Sequence, residues 1–172
     1  HAIDSLYKGI PLGSIGDFGT FSFHETKNII AGEGGALLIN NKKFRDKAET
    51  VWEKGTNRGA FARGEVSKYE WKGLGSSFYP SEITAAYLFA QLENIEGIQS
   101  KRERIWERYY NELHFLEQEA KVGLPFIPEY AKQNMHMFYL LCRTIEERDG
   151  LIEFLSTQSI KAVFHYTPLH NS

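Results

Sequence analysis

The chain has 172 residues, enough for one good core or for two small lobes. Its 20 basic and 22 acidic residues give a net charge of −2, so no basic excess supports a nucleic-acid surface, and 42% apolar content excludes a disordered chain. The single cysteine, Cys142, excludes an internal disulfide. With no signal peptide and no apolar run long enough to cross a bilayer, the chain reads as cytoplasmic, with no membrane partner.

Residues 1–20 read as a short strand and turns, punctuated by Gly9, Pro11, Gly13, Gly16 and Gly19. Phe21 and Phe23 then alternate with Thr20 and Ser22, the period of a strand. Ala36–Ile39 reads as a second strand. Asn41 is placed to cap a helix running to about Lys54, which Gly55 closes. Residues 56–79 lack a period and read as loop with short extended pieces. Ser81-Glu82 opens a helix with Ala85, Ala86, Leu88, Phe89 and Leu92 on one apolar face, bent or ended at Gly97. A charge-rich helix from about Ser100 to Gln118 follows, then a linker marked by Gly123, Pro125 and Pro128. The pattern finally predicts a strand over Met135–Leu141, a helix over Glu146–Gln158 and a strand over Ala162–Phe164.

The chemistry concentrates where the strand of Phe21 and Phe23 runs out. Ser22, His24 and Lys27 form a Ser-x-His-x-x-Lys pattern, followed by Asn28 and by Gly32-Glu33-Gly34-Gly35. An amine held there beside a hydroxyl is suited to a Schiff base with a carbonyl, once burial or nearby charge lowers its pKa. The glycines lack the spacing and the Lys-Ser/Thr ending of a nucleotide P-loop. Their reading is structural: a tight turn and close backbone approach beside Lys27.

This segment resembles the cofactor-lysine motif of the pyridoxal-phosphate (PLP) sugar aminotransferases of the DegT/DnrJ/EryC1/StrS family. Further matches are Tyr7-Lys8-Gly9, Ala85-Ala86 with Gln91-Leu92-Glu93, and His165-Tyr166-Thr167-Pro168-Leu169-His170. Within the family, His24–Asn28 and Glu53–Arg58 are most similar to the TDP-4-oxo-6-deoxy-D-glucose transaminases. The resemblance implies an α/β chain of fold-type I, aspartate aminotransferase-like. It would hold the C-terminal part of the PLP-binding large domain with its connecting helices (residues 1–122) and the start of a small α/β domain (residues 123–172). It implies transfer of an amino group from L-glutamate to a nucleotide-linked keto sugar, in a homodimer with active sites at the interface. The aspartate that pairs with the cofactor's ring nitrogen would fall just before His1, so an internal piece of a longer protein, or a truncated product, is expected.

By the same resemblance Lys27 is the Schiff-base lysine and Ser22 contacts the cofactor phosphate. His24 either faces the cofactor or packs at the strand end, and His1 lies near the cofactor ring. Ser77 stands where the family usually has an asparagine that reaches the neighbouring subunit's cofactor phosphate; the plainer reading leaves it in loop. Arg58 and Arg63 flank a loop with Lys54 and Lys68, and a forked guanidinium suits a diphosphate, although surface arginines are common. His165, Tyr166 and His170 resemble the substrate-side segment. A metal site is poorly supported, having no acidic partner near His165 and His170. Two rival functions stand beside transamination. One is a PLP-dependent sugar dehydratase, against which Lys27 itself argues because histidine replaces it there. The other is a catalytically incomplete remnant that only packs or binds.

Overall fold

Lys8 and Gly9 have φ of 50° and 76°, the left-handed pair that a two-residue hairpin turn needs. They join β1 (Leu6–Tyr7) to β2 (Ile10–Pro11), pairing Tyr7 with Ile10. The computed structural model describes residues 1–171. Two five-residue strands follow, β3 (Phe18–Ser22) and β4 (Gly35–Ile39), antiparallel from Phe18 opposite Ile39 to Ser22 opposite Gly35. The predicted strand and the Gly-rich turn are thus two sides of one hairpin.

Asn41 accepts a hydrogen bond from Lys43 N at 3.1 Å, capping a 3₁₀ turn (Lys42–Phe44) that runs into α1 (Arg45–Trp52). Lys54 and Gly55, at φ 63° and 80°, end it as expected. The stretch read as loop contains one short helix, α2 (Arg58–Ala62), and is tied down by Asn57. That side chain donates to Lys68 O and accepts from Glu70 N. Ser81 caps α3 (Glu82–Glu93) by accepting from Thr84 N at 3.1 Å.

Four expectations are corrected here. The long helix α4 (Ile95–Gln118) starts at Ile95 rather than Ser100: the break falls at Asn94, and Gly97 lies inside the helix. The predicted apolar face of α3 exists in sequence but is not buried, with Phe89 62% and Leu92 41% exposed. The strand predicted over Met135–Leu141 is not formed. Met135 has φ 50°, which breaks an extended run, and only Leu141 pairs, with Gly123. Ala162–Phe164 likewise finds no ladder partner among the described residues, and a strand is defined by its partner. The remaining elements are β5 (Ala131–Lys132), which pairs antiparallel with β1, and α5 (Ile145–Thr157), capped by Thr144 through Glu147 N.

The chain divides into two compact units. One comprises His1–Ile105 with Ile127–His136, the other Trp106–Phe126 with the chain from Met137 onward. In the first, the buried side chains are mixed: Phe23 and Ile29 with Ser5, Asn28, Glu53, Thr56 and Asn134. In the second, Trp106 and Leu124 are buried. The Trp106 indole donates to Met137 O at 3.2 Å and meets the Phe138 ring edge-on, and Glu117 accepts from Leu124 N at 2.8 Å.

Candidate functional site

Lys27 rides on the loop that closes the β3–β4 hairpin, and backbone bonds hold that loop from both sides. Phe23 N donates to Gly34 O at 2.8 Å, Glu25 N to Gly32 O at 2.9 Å, and Ala31 N to Phe23 O at 2.7 Å. A side chain on Gly35 would place its Cβ 2.8 Å from Phe21 O, closer than carbon and oxygen approach, so this end of the loop requires glycine. Two apolar residues on either side of the lysine anchor it: Phe23 is buried and Ile29 has no exposed surface.

Lys27 as a residue is half-buried, and its amine lies against the ring of His1. Lys27 Nζ lies 2.5 Å from His1 Nε2, 26 residues earlier in the chain. A lysine ammonium only donates, so the imidazole nitrogen accepts from it. The His1 ring in turn stacks on His136, centroids 4.5 Å apart.

Below the lysine lies a polar cluster that sequence reasoning missed. Asn28 is buried, and its Nδ2 donates to Asn134 O at 2.5 Å and to Gln99 Oε1 at 3.0 Å. Its Oδ1 faces His136 Nδ1 at 2.7 Å. Asn134 Nδ2 reaches back to His1 O at 2.5 Å and Ile3 O at 2.8 Å. From α4, Arg102 donates to His136 O at 3.2 Å, and burial pulls its guanidinium below its usual range. The one local signal was Asn28, next to Lys27; the other members lie far away in sequence and carry no motif.

The other predicted residues are distributed as follows. Ser22 is exposed, its Oγ accepting from His24 N at 3.4 Å. His24 turns back onto its own loop. Nδ1 accepts from Thr26 N at 3.2 Å, and Nε2 lies 3.5 Å from Glu33 Oε1. Ser77 is exposed and pairs through its backbone with Glu53. Arg58 opens α2 with its side chain exposed. Arg63 is committed elsewhere, gripping Glu49 at 2.6 and 2.9 Å and Glu65 at 2.7 and 3.1 Å. Those bonds hold the Glu49 carboxyl below the usual carboxylate range, against a smaller opposing effect of burial. Near Arg58, the Tyr79 hydroxyl donates to the buried Glu53; burial first, then that carboxylate, pushes the phenol up to about 12. Lys27, His1, Ser22, His24, Ser77 and Arg58 all lie in the first unit, where Lys27 meets His1 and Ser22 meets His24, while Ser77 pairs with Glu53. His165, Tyr166 and His170 belong to the second, where the first two rings lie 4.3 Å apart and Tyr166 is 75% exposed. Among the described residues no group of His, Cys, Asp or Glu is arranged to hold a metal ion, and no helix is long and apolar enough to cross a membrane.

A model of the DegT/DnrJ/EryC1/StrS aminotransferase family matches residues 1–172. The chain belongs to that family. An uncharacterized protein of Methanocaldococcus jannaschii is 34% identical over 178 residues, covering 99% of this chain and 45% of the relative. A sugar aminotransferase candidate of Streptococcus pneumoniae, solved in PLP and PMP forms, superposes with TM-scores of 0.79 and 0.83 at 25% identity. These cover 98% of this chain and 43–44% of that one. A DegT/DnrJ/EryC1/StrS aminotransferase from Brucella abortus gives a TM-score of 0.80 at 26% identity, over 99% of this chain and 42% of that one. The chain thus spans less than half the length of these relatives, and its α/β fold is that of the family's PLP-dependent aminotransferases.

Proposed function

We propose that the protein transaminates a nucleotide-linked keto sugar, with PLP held on Lys27 and L-glutamate as the amino donor. The observation that carries the reading is Lys27 itself, a half-buried residue braced by a hairpin, whose amine lies 2.5 Å from an imidazole nitrogen. The donor set fits PLP. A primary amine can bond its aldehyde, and the flat His1 ring stands beside that amine. The Ser22 hydroxyl, whose oxygen accepts from His24 N, keeps its proton for a phosphate oxygen. PLP, when bound, supplies an electron sink for the charge left as a proton departs the amino donor. The chain's own part is to hold Lys27 Nζ steady and to give and take a proton there, with His1 Nε2 orienting the amine.

On the substrate side the reading assigns Arg58 to the diphosphate, its guanidinium being exposed while Arg63 is neutralised by two glutamates. His165, Tyr166 and His170 are assigned to sugar hydroxyls. The preferred acceptor is TDP-4-oxo-6-deoxy-D-glucose, supported by the similarity of His24–Asn28 and Glu53–Arg58 to such transaminases. Residues 1–122 and 123–172 are assigned to the large and small domains. The reading includes a cytoplasmic homodimer in which Ser77 reaches the neighbouring subunit's phosphate site. Sedimentation of the intact protein as a monomer would remove that part.

The test is borohydride reduction of the intact protein with PLP, followed by peptide mapping, beside a glutamate-dependent assay on the keto sugar. PLP should be trapped on Lys27, and Lys27→Ala should lose both the adduct and turnover. Trapping on another lysine, with turnover kept in Lys27→Ala, overturns the reading.

A further inference from the structure

Two separate holds on Lys27 meet in one side chain. Its backbone neighbour Asn28 is bonded through Oδ1 to His136 Nδ1, and its amine touches His1, whose ring lies stacked on the same His136. The direction of the Asn28–His136 bond follows from the cluster. Asn134 O is a backbone carbonyl and can only accept, so the Asn28 atom 2.5 Å away is the amide nitrogen. That leaves Oδ1 toward His136, and an oxygen there requires the proton on Nδ1. The segment carrying His136 is pinned from α4. Arg102 donates to His136 O, and Gln99, three residues earlier, accepts from Asn28 Nδ2 and lies 3.4 Å from Asn134 O.

We propose that His136, acting through Asn28 and the His1 ring, is a positioning residue that fixes the Lys27 amine. It acts through the two groups it contacts, Asn28 and the His1 ring. The proposal rests on Lys27 being the reactive amine, but its first two readouts need neither cofactor nor turnover.

In the intact, PLP-free protein, ¹⁵N NMR of the wild type should show His136 protonated at Nδ1; an unprotonated Nδ1 overturns the proposal without any mutation. Acylation with acetic anhydride, mapped by mass spectrometry against exposed Lys121 as an internal standard, reads the hold on the amine. His136→Phe keeps a flat ring for His1 but loses the donor, and Lys27 labelling should rise by about threefold or more, the scale of losing one modest hydrogen bond. His136→Asn restores an N–H at the Nδ1 position and should label within about twofold of wild type by the same measure. In the loaded enzyme, His136→Phe should lower kcat by roughly tenfold while KM for the amino donor changes by less than about twofold, since misplacement acts on orientation rather than on binding. Wild-type labelling in a folded His136→Phe overturns the proposal, as does equal labelling of the Phe and Asn variants. If PLP is trapped elsewhere while these labelling differences persist, the aminotransferase reading fails and the positioning role stands.

Discussion

Replacing Ile29 by alanine should open the loop that carries Lys27. Ile29 has no exposed surface, and it lies two residues from the lysine on a loop held also by backbone bonds and by the Asn28 side chain. The substitution removes three carbons, about 0.8 kcal/mol each as transfer free energy, or roughly 2.4 kcal/mol. Incomplete collapse of the cavity brings the expected loss to about 3 kcal/mol. Ile29→Val removes one carbon and should cost about 1 kcal/mol. Urea titrations of the three proteins give the totals. Amide exchange locates the loss, because the N–H groups of Glu25 and Ala31 bond only within the loop, to Gly32 O and Phe23 O. If the loop opens as a unit, a loss of about 3 kcal/mol lowers protection at those amides by roughly two orders of magnitude. An alanine variant within about 0.5 kcal/mol of wild type would refute the packing argument, since surface substitutions fall in that range. A full loss with unchanged protection at Glu25 and Ala31 would refute the local one.

Two further outcomes follow from the turn after α1. Gly55→Ala should destabilise the chain by on the order of 2 kcal/mol in a urea titration. At φ 80° a side chain is strained, and its Cβ would fall 2.0 Å from Gly73 O, a backbone atom that cannot step aside; a neutral result removes the steric claim. Arg63→Gln should return the Glu49 carboxyl toward its ordinary value, because the hydrogen bond from Arg63 is the first cause of its depression. A depressed carboxylate contributes stability above its unfolded value of 4.5 that is lost as pH falls through the folded value, so the variant should lose less stability on acidification. A Glu49 titration midpoint by ¹³C NMR that does not rise in the variant contradicts this.

What could be read from the sequence was whatever has a short-range cause. Caps at Asn41 and Ser81 and the turn at Lys54-Gly55 each depend on residues within four positions, and the strand that leads to Ser22 shows in its own alternation of residues. What failed depends on a partner. The run from Met135 to Leu141 has strand composition, yet Met135 adopts φ 50° because its neighbours Asn134 and His136 are recruited to the cluster beneath Lys27. The loop over 56–79 hid α2 for a similar reason, since Asn57 fixes it through Lys68 and Glu70 rather than through any periodic pattern. For the site, Lys27, Ser22 and His24 lie within six residues and make a motif; Gln99, Asn134 and His136 lie 71, 106 and 108 residues from Asn28 and make none.

The division between what was and was not legible follows the division of labour in the site. A reactive amine needs a fixed origin and a free tip, and a hairpin loop supplies the origin locally through bonds such as Phe23 N to Gly34 O and Ala31 N to Phe23 O. Local bonds set where the Cα of Lys27 lies, but a lysine has four rotatable side-chain bonds, so they cannot aim Nζ. Aim has to come from groups outside the loop, and here it comes from His1, whose backbone carbonyl accepts from Asn134 Nδ2 and whose ring stacks on His136. Asn28 is the one residue in both systems: it belongs to the loop by sequence and to the distant cluster by its buried amide. A polar residue 5% exposed inside a hairpin loop is costly unless its bonds are met, and all three of its bonds are met by groups from beyond the hairpin. The motif therefore points to the candidate lysine, while the groups that touch it and its neighbour Asn28 are read only from the folded chain.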